Sequence, residues 1–202
     1  MGIGTLKRSA AVFLDRDGVI NRNVLNPLTG AWEAPLTVND FVLSPNALSS
    51  LRALQKAGYL LFIVSNQPNY AKAKVSLQTL ESIHNRLLEF LNNGKVEFSA
   101  FYYCLHHPHG VVPEYSGPCC CRKPSPFFLL QARDEFYLDL ECSWMVGDRD
   151  TDIKCGQTAG VHTIQVFNKE EGVSTHSQNA HAEFQADDLE AAVTIILGAA
   201  KK

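Results

Sequence analysis

Short apolar runs that alternate with helical patterns constrain the fold of this chain more than any other feature. Residues 11–14, 60–64 and 144–146 are such runs, and acidic or polar residues follow each of them at once. Leucine and isoleucine recur at helical spacing between runs, most clearly over residues 77–91. Continuous apolar runs separated by helices predict a parallel sheet. We therefore expect an α/β fold, a Rossmann-like three-layer sandwich with a mostly parallel central sheet.

The same patterns predict where most of the elements lie. Predicted strands cover residues 12–14, 60–64, 98–103, 143–146 and 163–166, and predicted helices cover residues 44–57, 77–94, 127–136, 150–159 and 188–197. Residues 22–43 hold Pro27, Gly30 and Pro35 and are predicted to be irregular, as is the polar stretch 168–186. No stretch is long enough for a large cap domain, so we expect an open site.

Bulk properties exclude several classes of protein. The chain has 202 residues, 46% of them hydrophobic, which is enough for a sizeable core in one domain spanning 1–202. A net charge of -3 leaves no basic surface of the kind that binds nucleic acid. No apolar run reaches membrane-spanning length, and the N-terminus does not resemble a signal peptide. We expect a cytoplasmic monomer whose partner is a small metabolite, with no nucleic-acid or membrane partner.

Reactive side chains follow the predicted strands at one edge of the sheet. Asp15 and Asp17 end the first strand, Ser65 follows the second, and Asp148 follows the fourth, while Lys123 precedes a predicted helix. Ligands of open α/β sheets sit outside the carboxyl ends of the strands, so these side chains are expected to converge. Carboxylates there are costly unless a cation pairs with them. The set suits a divalent cation together with a phosphate group.

A second cluster has the spacing of a metal site. Cys104, His106, Cys119 and Cys121 form a Cys-x-His and Cys-x-Cys set, which matches a closed tetrahedral zinc shell. The residues between the two pairs are rich in proline and glycine, so a metal would replace a missing core in the loop at about 104–121. The alternative is a group of free thiols near a turn. Three further residues are spare candidates for ligands: His107, His109 and Cys120. Cys142 and Cys155 are expected to be small core residues rather than ligands.

These motifs, in this order, resemble the haloacid dehalogenase-like phosphatase superfamily. The first motif is Asp15-Arg16-Asp17-Gly18, and the later motifs are carried by Ser65, by Lys123, and by Gly147-Asp148 with Asp152. The cysteine and histidine loop resembles the zinc loop of a small-capped branch, which contains heptose bisphosphate and histidinol-phosphate phosphatases. Two segments differ from the heptose pattern, residues 23–38, which are longer, and residues 67–70. Both are expected near the substrate.

The resemblance implies hydrolysis of a phosphate monoester through an aspartyl-phosphate. Asp15 is then the nucleophile and Asp17 the general acid and base. Magnesium would be held by Asp15, Asp148 and the main-chain carbonyl of Asp17, and Ser65 and Lys123 would hold phosphoryl oxygens. Asp152 would support Lys123 or a metal-bound water. Four further residues are candidates for binding the substrate: Asn21, Asn66, Arg122 and Arg149.

The substrate stays open at this point. The length of the zinc loop favours D-glycero-D-manno-heptose 1,7-bisphosphate with cleavage at the 7-phosphate, or a related sugar phosphate. The run from Asp148 to Ile153 instead resembles the histidinol-phosphate type. Two alternative functions stay open as well: a zinc-stabilised module that binds a phosphorylated ligand without turnover, and a phosphotransferase.

Overall fold

The computed structural model describes residues 8–27, 30–167 and 180–199. Within these ranges the strands are β1 (Ala11–Leu14), β2 (Val24–Leu25), β3 (Trp32–Glu33), β4 (Leu60–Asn66), β5 (Ala100–Cys104), β6 (Trp144–Gly147), β7 (His162–Val166) and β8 (Phe184–Ala186). The helices are α1 (Ala47–Lys56), α2 (Leu77–Asn93), α3 (Phe127–Phe136), α4 (Asp150–Ala159) and α5 (Leu189–Ala199). None of these helices is long and apolar enough to cross a membrane.

A six-stranded sheet with the order β5-β4-β1-β6-β7-β8 forms the centre of the molecule. Every neighbouring pair in it runs parallel, which confirms the predicted sheet. The chain leaves β1 in one direction towards β4 and β5, and returns to the other side of β1 through β6. The order of the strands therefore reverses between β1 and β6, and a ligand crevice is expected at such a switch point.

Side chains of β1 alternate between the two faces of the sheet, as the pleat requires. Val12 and Leu14 belong to the core that α1, α2 and α5 cover, whereas Ala11 and Phe13 belong to the core under α3 and α4. All four are fully buried. Helices on both faces of the sheet confirm the three-layer arrangement. They also explain why β1 is a continuous apolar run rather than an alternating one.

Two stretches predicted to be irregular contain short strands. Within residues 22–43, β2 and β3 form an antiparallel hairpin, in which the Asn26 N–H donates to the Ala31 carbonyl at 2.8 Å. The described part of 168–186 includes β8, which pairs with β7; residues 168–179 lie outside the described residues. Strands this short are set by contacts with the rest of the fold, so the local pattern did not reveal them. The described residues between β1 and α1 hold no cap domain, only this hairpin and a short 3₁₀ turn at Val38–Asp40.

Candidate active site

Asp15 lies at the carboxyl end of β1, at the switch point of the sheet. Its N–H donates to the Val146 carbonyl at 2.9 Å, so the pairing of β1 with β6 extends to this residue. Its side chain is buried, and the Lys123 Nζ lies 3.1 Å from its Oδ1. Burial raises the pKa of Asp15, and the ammonium group of Lys123 opposes that shift. The carboxylate therefore needs a nearby positive charge to stay ionised.

Asp17 is enclosed by hydrogen-bond donors. Arg16 binds its carboxylate through both Nε and Nη2, Asn21 donates at 3.0 Å, and the Gln67 Nε2 donates at 2.5 Å. Burial alone would raise the pKa of Asp17, but the Arg16 guanidinium and these donors hold it below its usual range. The same Gln67 amide donates to the Ser65 Oγ at 3.0 Å, so it joins the loop after β1 to the end of β4.

Lys123 reaches the same edge of the sheet from the segment before α3. Its Nζ donates to the Val64 carbonyl at 2.6 Å and lies 2.7 Å from the Asp152 Oδ1. Burial would lower the pKa of Lys123, but Asp15 and Asp152 raise it instead, so the group is a fixed cation. The structure thus brings together the predicted residues Asp15, Asp17, Ser65, Lys123 and Asp148, with Asp152 paired to the lysine as expected.

Three carboxylates provide a set of oxygen ligands for a hard cation. Asp15, Asp148 and Asp152 are buried, and one oxygen of each lies within 4.8 Å of the others. Burial raises the pKa of Asp148 well above its usual range, against the effect of Arg149, and the Asp148 Oδ1 has no hydrogen-bond partner. An orphaned buried carboxylate oxygen in an all-oxygen cluster fits Mg²⁺. Among the described residues, the cluster has the chemistry that the resemblance implies.

Two glycines let the backbone approach this cluster closely. Gly18 has φ +81°, and a Cβ there would collide with the Asp148 carboxylate. A Cβ at Gly147 would collide with the side chain of Asp152, whose Oδ2 accepts from the Arg149 N–H at 3.0 Å at the start of α4. A side chain at either position would displace a carboxylate of the cluster.

The cysteine and histidine cluster lies where β5 ends. Cys104, His106, Cys119 and Cys121 each offer a ligand atom within 4.8 Å of the others. The Sγ of Cys119 lies 3.5 Å from that of Cys104 and 3.8 Å from that of Cys121. Tetrahedral zinc with bonds of about 2.3 Å separates two sulfurs by about 3.8 Å. The buried Nδ1 of His106 has no hydrogen-bond partner, so the donor set fits zinc.

The spare residues lie outside this shell. Cys120 is exposed, as expected from alternation along the chain, and the His107 Nδ1 accepts from the His109 N–H at 3.1 Å. The sequence also favoured a core position for Cys142 and Cys155. Cys155 is buried, but Cys142 is exposed in the turn before β6, so that expectation was wrong for Cys142.

An open cleft of about 830 Å³ lies over the carboxylate cluster. Asp15 and Asp17 are among its walls, and so are Arg122 and Arg149, two of the residues predicted to bind a substrate. Arg122 also donates to the His106 carbonyl at 3.0 Å, so it bridges the zinc loop and the cleft.

Trp32, Glu33 and Asn69 also line the cleft, and they lie in the two segments expected near the substrate, residues 23–38 and 67–70. Sequence reasoning missed Lys72 and Lys74, which line the cleft as well. The available signal for Lys72 and Lys74 was the occurrence of two lysines, two residues apart, in the segment after β4.

The two asparagines that were predicted to bind substrate, Asn21 and Asn66, support other residues of the site. Asn21 is fully buried behind Asp17, because the chain after β1 turns back and the Asn21 N–H donates to the Arg16 carbonyl. Its prediction as a substrate contact is corrected to a support for Asp17. Asn66 lines the cleft, but its side-chain amide is paired with the backbone N–H and C=O of Lys123 at 3.0 and 3.1 Å. Asn66 therefore fixes the position of the lysine.

Known proteins resemble this chain over most of its length. The chain is 32% identical to the D-glycero-beta-D-manno-heptose-1,7-bisphosphate 7-phosphatase of Salmonella typhi over 174 residues, which cover 86% of this chain and 88% of that protein. It is 34% identical to the D-glycero-D-manno-heptose-1,7-bisphosphate 7-phosphatase of Chlorobaculum tepidum, over 96% of this chain and 97% of the relative. A family model described as HAD-hyrolase-like matches residues 120–192. The chain belongs to the haloacid dehalogenase-like phosphatase family.

Membership of this family makes the protein a phosphoric monoester hydrolase. A solved relative, D,D-heptose 1,7-bisphosphate phosphatase from B. bronchiseptica in complex with magnesium and phosphate, has a TM-score of 0.74 at 22% identity. The match covers 94% of this chain and 99% of the relative, and it shows a shared fold. The family resemblance inferred from the four motifs is thus confirmed.

Proposed function

We propose that this protein is a magnesium-dependent phosphatase that cleaves the 7-phosphate of D-glycero-D-manno-heptose 1,7-bisphosphate, or a related sugar phosphate, through an aspartyl-phosphate. One observation carries the proposal. The buried carboxylate of Asp15, at the end of β1, lies 3.1 Å from the ammonium group of Lys123 and close to the Asp148 carboxylate, whose Oδ1 has no hydrogen-bond partner. The names of the relatives and the similar length of the chains support heptose bisphosphate as the substrate.

In the first step, the Asp15 carboxylate attacks phosphorus, and the bond from phosphorus to the ester oxygen breaks. Ser65 and Lys123 hold oxygens of the phosphoryl group, whose charge shifts in the transition state. Asp15 and Asp148, with the main-chain carbonyl of Asp17, would hold the magnesium ion. When bound, magnesium offsets the negative charges of nucleophile and phosphate.

Asp17 would give a proton to the leaving alkoxide in this first step. Arg16, Asn21 and Gln67 keep the free carboxylate ionised. An anionic phosphoryl group arriving beside Asp17 raises its pKa and favours the protonated acid. In the second step the ionised Asp17 takes a proton from the water that attacks the aspartyl-phosphate, and phosphate leaves.

Zinc on Cys104, His106, Cys119 and Cys121 would be structural. The loop that carries these ligands continues directly into Arg122 and Lys123, and Asn66 binds the backbone of Lys123. A closed zinc shell leaves no position for substrate. The loop would therefore position the positively charged side chains of Arg122 and Lys123 at the cleft.

A phosphate-release assay with magnesium tests the substrate. The panel contains heptose 1,7-bisphosphate, histidinol phosphate and several hexose phosphates, and the Asp15→Asn variant is the matched control. We expect the heptose ester to give the highest kcat/KM and to leave the heptose 1-phosphate. Preference for histidinol phosphate would support the alternative motif resemblance, and binding without release would indicate a non-catalytic module. Transfer of the phosphoryl group to an added alcohol without free phosphate would indicate a phosphotransferase.

A further inference from the structure

The β2–β3 hairpin places a tryptophan at the mouth of the cleft. Trp32 lines the cleft that also holds Asp15 and Asp17, and 37% of its surface is exposed. Its cross-strand neighbour is Leu25, and the isolated two-stranded hairpin gives it no sheet to pack into. A large aromatic surface in the wall of a polar cleft is unfavourable in water, and an apolar part of a ligand would cover it.

The hairpin is tied to the rest of the site through Glu33. The Glu33 carboxylate accepts from the Asn26 Nδ2 at 3.3 Å and from the Lys74 Nζ at 2.5 Å. Lys74 follows β4, and its N–H donates to the Asn69 carbonyl at 2.9 Å. The bond from Asn26 lies within the hairpin, and the bond from Lys74 links the hairpin to the segment after β4. Trp32 is therefore held beside the cleft before any ligand binds, which lowers the entropic cost of binding.

The other walls of the cleft carry positive charge, so the cleft suits a ligand that has both an apolar part and anionic or hydroxyl groups. Lys72, Arg122 and Arg149 line the same cleft and suit negatively charged or hydroxyl groups. Carbon-bound hydrogens of a sugar form apolar patches that pack on an aromatic ring, while its hydroxyl groups face polar side chains.

We propose that Trp32 packs against the carbon skeleton of the leaving group and makes the hairpin a determinant of substrate choice. The proposal rests on the proposed phosphatase function. It predicts that hydrolysis of phosphate esters of extended polyols depends on Trp32. Hydrolysis of small phosphate compounds, whose organic group is too small to cover the ring, should not depend on it.

Steady-state kinetics test the proposal with three variants, Trp32→Ala, Trp32→Phe and Leu25→Ala. We expect Trp32→Ala to raise KM for heptose 1,7-bisphosphate at least tenfold with kcat changed less than threefold, and Trp32→Phe to restore most of the loss. The ratio of kcat/KM for the heptose ester over acetyl phosphate falls at least tenfold in Trp32→Ala. Leu25→Ala removes the neighbour on the same hairpin and should stay near wild type.

An unchanged ratio in Trp32→Ala would overturn the proposal, and so would an equal loss in Leu25→Ala, which would indicate only a need for an intact hairpin. If the wild-type protein does not hydrolyse the heptose ester, the proposed substrate fails. The ratio is then measured with the best sugar ester in the panel, so the role of Trp32 is still decided.

Fluorescence provides a readout that needs no turnover. The chain has two tryptophans, and Trp144 is 3% exposed, so acrylamide quenches mainly Trp32. In the Asp15→Asn background we expect heptose 1,7-bisphosphate to shield Trp32 from acrylamide and inorganic phosphate to leave it accessible. Equal shielding by both ligands, or shielding by no sugar ester of the panel, would contradict contact with the carbon skeleton.

Discussion

At the scale of single residues, the surroundings of Asp15 disfavour the ionised carboxylate, and the proposed role as nucleophile would explain why this residue is nevertheless present. Burial raises its pKa although Lys123 lies 3.1 Å away, and Asp152 and Asp17 add negative charge nearby. The ionised form is thus less favourable here than in water. A group held in that state is a candidate for function rather than for stability.

We expect Asp15→Asn to reduce turnover to background and to leave the fold intact. The amide cannot attack phosphorus, but Lys123 keeps its partner Asp152 at 2.7 Å. Because the variant removes a disfavoured charge, its melting temperature without added magnesium should be no lower than that of the wild type. Phosphate release and thermal unfolding check this prediction, with mass spectrometry to exclude deamidation. Turnover near wild type in the intact variant would end the aspartyl-phosphate proposal.

At the scale of structural elements, the zinc loop joins the end of β5 to the segment before α3. Cys104 ends β5, and Cys121 is two residues from Lys123. Residues 105–121 are held by hydrogen bonds within the loop and by those from the Val111 and Val112 N–H groups to the Ala71 carbonyl, but none of these residues is buried. A metal would therefore supply much of the order of this loop.

The Cys121→Ser variant should lose zinc and activity together. An error of about 1 Å in the position of a catalytic group can cost about 100-fold in rate, and we expect a fall of that order in kcat. Cys142→Ser is the matched control, since Cys142 is exposed and outside the cluster. Zinc content and kcat are measured on the same preparations. Loss of zinc with normal kcat would show that the loop does not position Lys123.

The contact between α2 and β5 predicts a pH dependence of stability. The His84 Nδ1 lies 3.1 Å from the Tyr103 hydroxyl, and burial together with Arg16 lowers the pKa of His84 below its usual value of about 6.5. The unfolded chain therefore binds more protons between these two pKa values, so stability falls as the pH drops below about 6.5. The free energy of unfolding should vary less with pH in His84→Gln than in the wild type. An unchanged slope in the variant would assign the titration to another group.

Sequence patterns predicted the elements of the central sheet and part of the walls of the cleft, but not the hairpin in one of those walls. Strands such as β1 and β4 follow from local apolar runs, and the polar residues after them must lie at one edge of a parallel sheet. The hairpin contacts the segment after β4 through an ion pair between Glu33 and Lys74, which are 41 residues apart, so no local pattern reveals where the hairpin lies. The turn before Asn21 is local, since the Asn21 N–H donates to the Arg16 carbonyl, but the bridge between Asn21 and Leu43 is a tertiary contact that no local pattern reveals. A monomeric state, a cytoplasmic location and a single domain stay predictions.

At the scale of the whole molecule, the carboxylate cluster couples stability to the bound cation. Asp15 and Asp148 meet at the carboxyl ends of β1 and β6, so a cation held by both binds the folded state only. Magnesium at 100 times its Kd should raise the free energy of unfolding by about 2.7 kcal/mol. Asp148→Asn should lose most of this increase, and sodium chloride at matched ionic strength should not reproduce it. An equal increase in the variant would place the magnesium elsewhere.

The position of β1 between β4 and β6 has a consequence for synthesis on the ribosome. The strand emerges first, but one of its two neighbours is encoded about two thirds of the way along the chain: the Ala11 N–H donates to the Ser143 hydroxyl across 132 residues. Long-range parallel pairing of this kind forms late. Until β6 has been translated, one edge of β1 and the acidic residues beyond it are open to the surroundings. We expect nascent chains shorter than about 150 residues to be inactive and to depend on chaperones for protection.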